Sequence, residues 1–189
     1  MSVRKSVWLA AIASLITAAS LPAVAQTPMN ANPTVGGAAM YPSKNIIENA
    51  VNSKDHTTLV AAVKAAGLVE TLEGPGPFTV FAPTNEAFAK LPAGTVDMLV
   101  RPENKAALIK ILTYHVVPGK MTAARIMSAI KAGRGSATLT TVEGEPLKAS
   151  LYDNKIVLTD AKGGSSTVTI GNVMQSNGVI HVVDTVMMP

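Results

Sequence analysis

Residues 78–88 read FTVFAPTNEAF, and the fold is decided within this stretch. The run 78–81 consists of aromatic and β-branched residues, which is typical of a strand. Pro83 fixes φ and has no N–H for a sheet ladder, so it marks the end of that strand. Thr84 is suited to cap a following helix, and Asn85 is suited to bond local backbone and lock the turn. The stretch therefore predicts a strand that turns sharply into a helix.

Apolar residues with helical spacing run through the first half of the chain, on both sides of this corner. Ile46 and Ile47 share one helix face, and Phe88 and Leu91 lie three residues apart, so that both face the core. The predicted helices lie at 46–51, 57–66, 84–91, 95–100, 103–112 and 122–132, with a further short turn at 68–72.

The second half of the chain changes to a period of two, which indicates strands. Asp153-Asn154 separates two such stretches and predicts a hairpin turn. The predicted strands lie at 138–142, 147–151, 156–158, 167–170 and 179–187. Helices first and strands later predict an α+β fold with a mostly antiparallel sheet.

The N-terminal part of the chain differs in composition from the rest. Residues 1–25 combine a basic start, an apolar run of about 15 residues and a small-residue cleavage site, which predicts a secretory signal peptide. The run is short for a membrane span of about 20 residues, although an uncleaved anchor helix is the alternative. Residues 26–42 hold three prolines and no charged residue, and predict a flexible tether. Residues 43–189 then form a single domain.

Composition and charge exclude several classes of protein. The 189 residues contain no cysteine, which excludes disulfide scaffolds, zinc ribbons, iron–sulfur clusters, thiol nucleophiles and lipoprotein acylation. Loss of the two basic residues in the predicted signal peptide would lower the net charge from +4 to +2. Four cations lie in residues 120–134, which favours a solvated helix face over a surface for nucleic acid.

Three stretches of the sequence, in order, resemble the fasciclin domain: TVFAPTNEAF at 79–88, LTYHVVPG at 112–119 and NGVIHVVD at 177–184. The resemblance covers about residues 44–189. It implies a β-wedge with helices packed around it, and a family that is not generally enzymatic. The motif residues that we expect to have structural roles are Phe81, Pro83, Thr84, Asn85, Phe88, His181 and Asp184.

Tyr114 and His115 lie among apolar neighbours, where a predicted helix gives way to a strand. One hypothesis places them on an adhesive surface, because the resemblance implies that the tyrosine–histidine region binds receptors in animal relatives. The other makes His115 a core histidine bonded to backbone, since a buried imidazole needs hydrogen-bond partners. The sequence leaves both open. Because recognition favours an exposed loop beside a rigid motif, the partner-binding residues under the first hypothesis are Tyr114, His115, Pro118, Gly119 and Lys120.

No pattern in the sequence points to catalysis or to a metal site. His56, His115 and His181 lack the i, i+4 spacing of helical metal ligands, and the G-x-S-x-G, P-loop and G-x-G-x-x-G motifs do not occur. We therefore expect no cofactor, no metal and no enzymatic activity.

These features together predict a secreted or periplasmic binding module. Its expected partner is a cell-surface protein, a matrix component or a polysaccharide, with no role for nucleic acid and no transmembrane anchor after cleavage. The alternative is an envelope carrier or stress protein that binds a small apolar ligand, which the nine methionines favour weakly.

Overall fold

The computed structural model describes residues 32–189, so the predicted signal peptide and residues 26–31 of the predicted tether lie outside the described residues. Helices α1 to α7 span Ile46–Ala50, Thr57–Ala66, Val69–Glu73, Asn85–Ala89, Thr95–Leu99, Lys105–Tyr114 and Ala123–Ala132. Strands β1 to β9 span Thr34–Val35, Ala38–Ala39, Phe78–Pro83, Val116–Pro118, Ser136–Thr140, Pro146–Tyr152, Lys155–Thr159, Ser165–Gln175 and Gly178–Val183. Within residues 32–189, no helix has the length and apolar character needed to cross a membrane.

Seven strands form one sheet in the order β4-β3-β9-β8-β7-β6-β5. Neighbouring strands are antiparallel except β3 and β9, which run parallel with Phe81 opposite His181. The predicted α+β class with a mostly antiparallel sheet is therefore confirmed.

Strand β3 lies between two apolar clusters. Val80 and Ala82 pack in a first cluster with residues of α1, α2 and α6, whereas Phe81 packs in a second cluster. This division follows from the strand geometry, because successive side chains point to opposite faces. Helix α7 covers the second cluster, where Ile126 and Ile130 are buried above β5, β6 and β7.

The strand-to-helix corner predicted at residues 78–88 is confirmed. Strand β3 ends at Pro83, and the Thr84 hydroxyl accepts a hydrogen bond from the Ala87 N–H at 3.2 Å, which caps α4. Phe88 is buried in the first cluster, as its spacing predicts.

The predicted local role of Asn85 is wrong. Its Oδ1 accepts a hydrogen bond from the Thr58 N–H at 3.0 Å, and its Nδ2 donates to the Lys54 carbonyl at 2.8 Å. Because Thr84 already satisfies the first turn of α4, the Asn85 amide is free to bind a distant segment. It joins the corner to the start of α2.

The predicted tether is wrong over residues 33–42. Strands β1 and β2 form a hairpin around Gly36 and Gly37, whose φ angles of 58° and 76° suit residues without a Cβ. Val35 and Met40 flank the hairpin turn and are buried in the first cluster, with exposures of 4% and 2%. Two isolated apolar residues in an uncharged segment form no periodic pattern, so the sequence does not distinguish them from a linker. The compact unit begins at Asn32.

The hairpin turn predicted at Asp153-Asn154 is confirmed. The two residues connect β6 to β7 with φ angles of 48° and 61°. A two-residue loop with both φ angles positive matches the twist of the flanking strands, and Asp and Asn tolerate this backbone better than most residues.

Candidate functional site

Tyr114 and His115 are buried at the end of α6, with exposures of 0% and 2%. The Tyr114 hydroxyl donates to the Pro146 carbonyl and accepts from the Ala161 N–H, both at 3.1 Å. Neither side chain reaches the surface. The hypothesis that places them on a contact surface is therefore wrong, since both belong to the core.

The His115 ring is held as one neutral tautomer. Its Nδ1–H donates to the Ile111 carbonyl at 2.8 Å, and its Nε2 accepts from the Met187 N–H at 3.0 Å. Burial lowers the pKa of His115 to about 4, although the Ile111 carbonyl and the Asp160 carboxylate oppose this effect. His115 is therefore uncharged at neutral pH, and its bonds fix the end of α6 to the C-terminal segment.

His181 supports the loop that follows β4. Its Nε2–H donates to the Met121 carbonyl at 2.8 Å, and its ring stacks on that of Phe81 with centroids 5.6 Å apart. Burial also lowers the pKa of His181, so the ring stays neutral and its Nδ1 accepts from the Asn172 N–H at 3.4 Å. His181 has the structural role that the motif predicts, and it acts on the loop at residues 118–121.

Thr79 provides a second support for the same loop. Its buried hydroxyl donates to the Gly119 carbonyl at 2.6 Å and accepts from the Met121 N–H at 2.8 Å. The Gly119 N–H also donates to the Pro77 carbonyl at 2.8 Å. Three anchored backbone groups therefore hold the loop rigidly against β3.

Asp184 has a structural role at the end of β9. Its Oδ1 accepts hydrogen bonds from the Thr167 N–H at 2.8 Å and from the Thr185 hydroxyl at 3.1 Å. Its carboxylate also lies 4.0 Å from the Lys90 ammonium. The side chain thus fixes the end of the strand and the segment after it.

A shallow surface groove of about 480 Å³ lies between this loop and α7. Of the other predicted contact residues, Pro118 is exposed, and Gly119 and Lys120 are half-buried in the groove wall. The Arg125 guanidinium donates to the Lys120 carbonyl at 3.0 Å and so joins the helix to the loop. We call this feature the basic groove; its lining residues are Gly119, Lys120, Met121, Ala124, Arg125 and Ser128.

The chain segment that forms the basic groove and α7 carries only positive charge. Between Lys120 and Arg134 the chain has four cations and no acidic residue. Arg125, Lys131 and Arg134 are exposed, and none of the four cations forms an ion pair with residues 32–189. The expected solvated helix face is present, and it continues into a concave site.

Ala124, Arg125 and Ser128 were not expected as site residues. Ser128 follows Arg125 by three residues and Ala124 by four, which places these side chains on one face of α7, and this signal is visible in the sequence. No sequence pattern indicates the role of Thr79, because that role depends on the packing of β3 against a loop 40 residues later in the chain.

The described residues offer no obvious metal site. Within residues 32–189, no group of three or more histidine, aspartate or glutamate side chains is placed to hold an ion. His115 and His181 each use both ring nitrogens on backbone groups. The two histidines therefore stabilise the backbone around the loop at residues 118–121 and the C-terminal segment.

The sequence of residues 54–189 matches the Fasciclin domain family over most of the chain. The chain belongs to the fasciclin-domain family. It is 47% identical to Protein sll1483 of Synechocystis sp. over 91% of this chain and 90% of that protein. It is 34% identical to the immunogenic protein MPB70 of Mycobacterium bovis over 95% of this chain and 92% of that protein.

A solved structure shares the same fold. The FAS1 domain pair of the insect cell adhesion molecule Fasciclin I matches with a TM-score of 0.67 and 17% identity. The alignment covers 77% of this chain and 51% of that one, so this chain spans about half of the domain pair. The predicted resemblance to the fasciclin family is confirmed.

The three motif stretches of the fasciclin domain lie side by side in the structure. Strand β3 carries the first, β4 lies within the second, and β9 carries most of the third. Because β3 pairs with both β4 and β9, the motifs occupy three adjacent strands at one end of the sheet, with β4 at its edge. Both motif histidines, His115 and His181, are buried, which leaves recognition to the loops that the sheet supports.

Proposed function

We propose that this fasciclin domain is an exported, non-enzymatic binding module that recognises an acidic polysaccharide at the cell surface or in the matrix. The single observation that carries the proposal is the basic groove, a concave site lined by Lys120 and Arg125 and continued by unpaired cations along α7. The structurally similar FAS1 domain pair comes from a protein named as a cell adhesion molecule, which supports a role in adhesion.

The charge pattern favours an anionic partner. Four cations in a segment of the chain that has no acidic residue give a local positive potential that extends about 10 Å at an ionic strength of about 0.1 M. Such a surface attracts polyanions and speeds their encounter. The net charge of the chain is only +4, so the attraction comes from the clustering of the charges.

The lining of the groove favours a polysaccharide over a folded protein. Energetically dominant contacts between proteins centre on buried tryptophan, tyrosine and arginine side chains. The groove has one arginine and no aromatic residue, so it lacks the apolar anchor of a typical protein interface. A chain of repeated carboxylates or sulfates requires only spaced cations and hydroxyl or backbone groups.

The groove is also organised before binding. Thr79 and His181 fix the loop at residues 118–121 by hydrogen bonds of 2.6–2.8 Å. A rigid site loses less conformational entropy on association, which favours affinity. A single domain still binds weakly, and repeated sites along a polymer supply the multivalency that retains it.

Binding of the full chain to polygalacturonate, an acidic polysaccharide, and to neutral dextran tests this function. We expect saturable binding to polygalacturonate that weakens strongly when the salt concentration rises from about 50 to about 300 mM. We expect no binding to dextran. Equal binding to both polymers, or no binding to polygalacturonate at low salt, would overturn the proposal.

A further inference from the structure

A second feature of the molecule lies apart from the basic groove. A cavity of about 70 Å³ separates the helices α1 to α3 from strands β3, β4 and β9 in the first apolar cluster. Most of its walls are aliphatic side chains; representative lining residues are Ile46, Val63, Leu72, Val80, Leu112 and Ile180.

One polar group in the cavity wall has no partner. His56 lines the cavity and is only 3% exposed. Its Nδ1 forms a hydrogen bond of 2.8 Å with the Ser53 hydroxyl. Its Nε2 is the one buried side-chain nitrogen or oxygen of residues 32–189 that lacks a hydrogen-bond partner. Buried polar groups are nearly always paired, so this atom points to a ligand.

We propose that this cavity binds a small neutral molecule, apolar over most of its surface, whose hydroxyl or carbonyl group forms a hydrogen bond with Nε2 of His56. This inference is independent of the polysaccharide site, because the two sites share no residue.

The chemistry of His56 explains why the ligand is neutral. Burial lowers the pKa of His56, although the Ala82 backbone and the Asp55 carboxylate oppose the effect. A neutral ring offers no counter-charge for a carboxylate or an ammonium group. The Ser53 hydroxyl is able to donate to Nδ1 or accept from it, so Nε2 is able to serve as acceptor for an alcohol or as donor to a carbonyl.

The dimensions of the cavity set the size of the ligand. A water-sized group needs about 10–15 Å³ of such space, so the cavity has room for about five non-hydrogen atoms. The lining residue Val142 is 46% exposed, which gives the cavity an edge at the protein surface. 1-Butanol has the required size, apolar chain and hydroxyl group, and it is a suitable probe.

Titration of the full chain with 1-butanol, followed by methyl NMR, tests the site. We expect the methyl chemical shifts of Ile46, Val63 and Ile180 to change and to saturate as 1-butanol is added. We expect no change at Ile126 or Leu147 of the second cluster. Butyrate and butylammonium, which are charged and of similar length, should produce no saturable shift. No saturation with 1-butanol, or equal shifts in both clusters, would overturn the proposal.

Two variants separate the hydrogen bond from the cavity itself. His56→Phe keeps a ring of similar size and removes Nε2, so we expect binding of 1-butanol to weaken by about tenfold while xenon, which forms no hydrogen bond, still binds. Ile130→Val lies in the second cluster and should bind 1-butanol like the natural chain. Unchanged 1-butanol binding by His56→Phe would contradict the proposal. Should that variant fail to fold, the comparison of 1-butanol with butyrate in the natural chain decides the question.

Discussion

The Nε2 atom of His115 accepts a hydrogen bond from the Met187 N–H at 3.0 Å, so the end of α6 is fixed to the C-terminal segment. Since Nδ1 donates to the Ile111 carbonyl, both ring nitrogens are used by backbone groups. A proton added to Nε2 would face the Met187 N–H and break this bond. Of the two hypotheses for His115, the structure therefore supports the core histidine that is bonded to backbone.

This geometry predicts that acid destabilises the domain. The pKa of His115 falls from 6.5 in the unfolded chain to about 4 in the folded domain. Its contribution is fully present above pH 6.5 and is lost as the pH falls towards 4, with a size of roughly 3 kcal/mol. Urea unfolding at a series of pH values measures this loss.

The variant His115→Leu identifies the source of that pH dependence. We expect it to be less stable at neutral pH by about 2–4 kcal/mol, because the Met187 N–H loses its acceptor. Its free energy of unfolding should fall less steeply between pH 6.5 and 4, with a residual slope from His56 and His181, whose pKa values are also lowered. An unchanged slope would contradict the role of His115.

The support of the groove by Thr79 leads to a second prediction. Thr79→Val keeps the shape of the side chain and removes its hydrogen bonds to Gly119 and Met121. We expect a loss of about 1–3 kcal/mol in stability and faster hydrogen exchange at the Met121 N–H. Affinity for polygalacturonate should also fall, because the loop is less organised.

A matched variant shows whether these effects are local. Thr141 is also buried, and its hydroxyl donates to the Glu145 carbonyl at 2.8 Å. Thr141→Val should cost similar stability and leave exchange at Met121 unchanged. Equal acceleration at Met121 in both variants would indicate a global loss of stability instead of a local support.

The position of the N-terminal hairpin gives a third prediction. Met40 is 2% exposed and belongs to the first cluster, whereas Met98 is 52% exposed. Met40→Ala should lower the free energy of unfolding by about 2–4 kcal/mol, because it leaves a cavity in the core. Met98→Ala should change it by less than about 0.5 kcal/mol. Equal, small effects in urea unfolding would restore the interpretation of residues 33–42 as a tether.

Local signals explain which parts of the fold the sequence predicts. Pro83 and Thr84 determine the strand-to-helix corner through backbone geometry and capping, and Asp153-Asn154 determines a hairpin turn. The parallel pairing of Phe81 with His181 joins residues that are distant in the sequence, so no local pattern encodes it.

The candidate site is less predictable than the fold for the same reason. The loop at residues 118–121 is foreseeable as an exposed segment beside a motif. Its shape depends on Thr79 and His181, which approach from two different strands. Burial of His115 also follows from tertiary packing, because the apolar neighbours of the motif do not show which side chain they cover.

The central claim is that the basic groove binds an acidic polysaccharide, and charge reversal tests it most directly. The double variant Lys120→Glu/Arg125→Glu reverses two groove cations, and Lys64→Glu/Lys105→Glu makes the same change in net charge at exposed positions on α2 and α6. The measurement is the affinity of each variant for polygalacturonate at about 50 mM salt. We predict a loss of about tenfold or more for the groove variant and less than about threefold for the control. Equal losses for the two variants, or full affinity of the groove variant, would contradict the account.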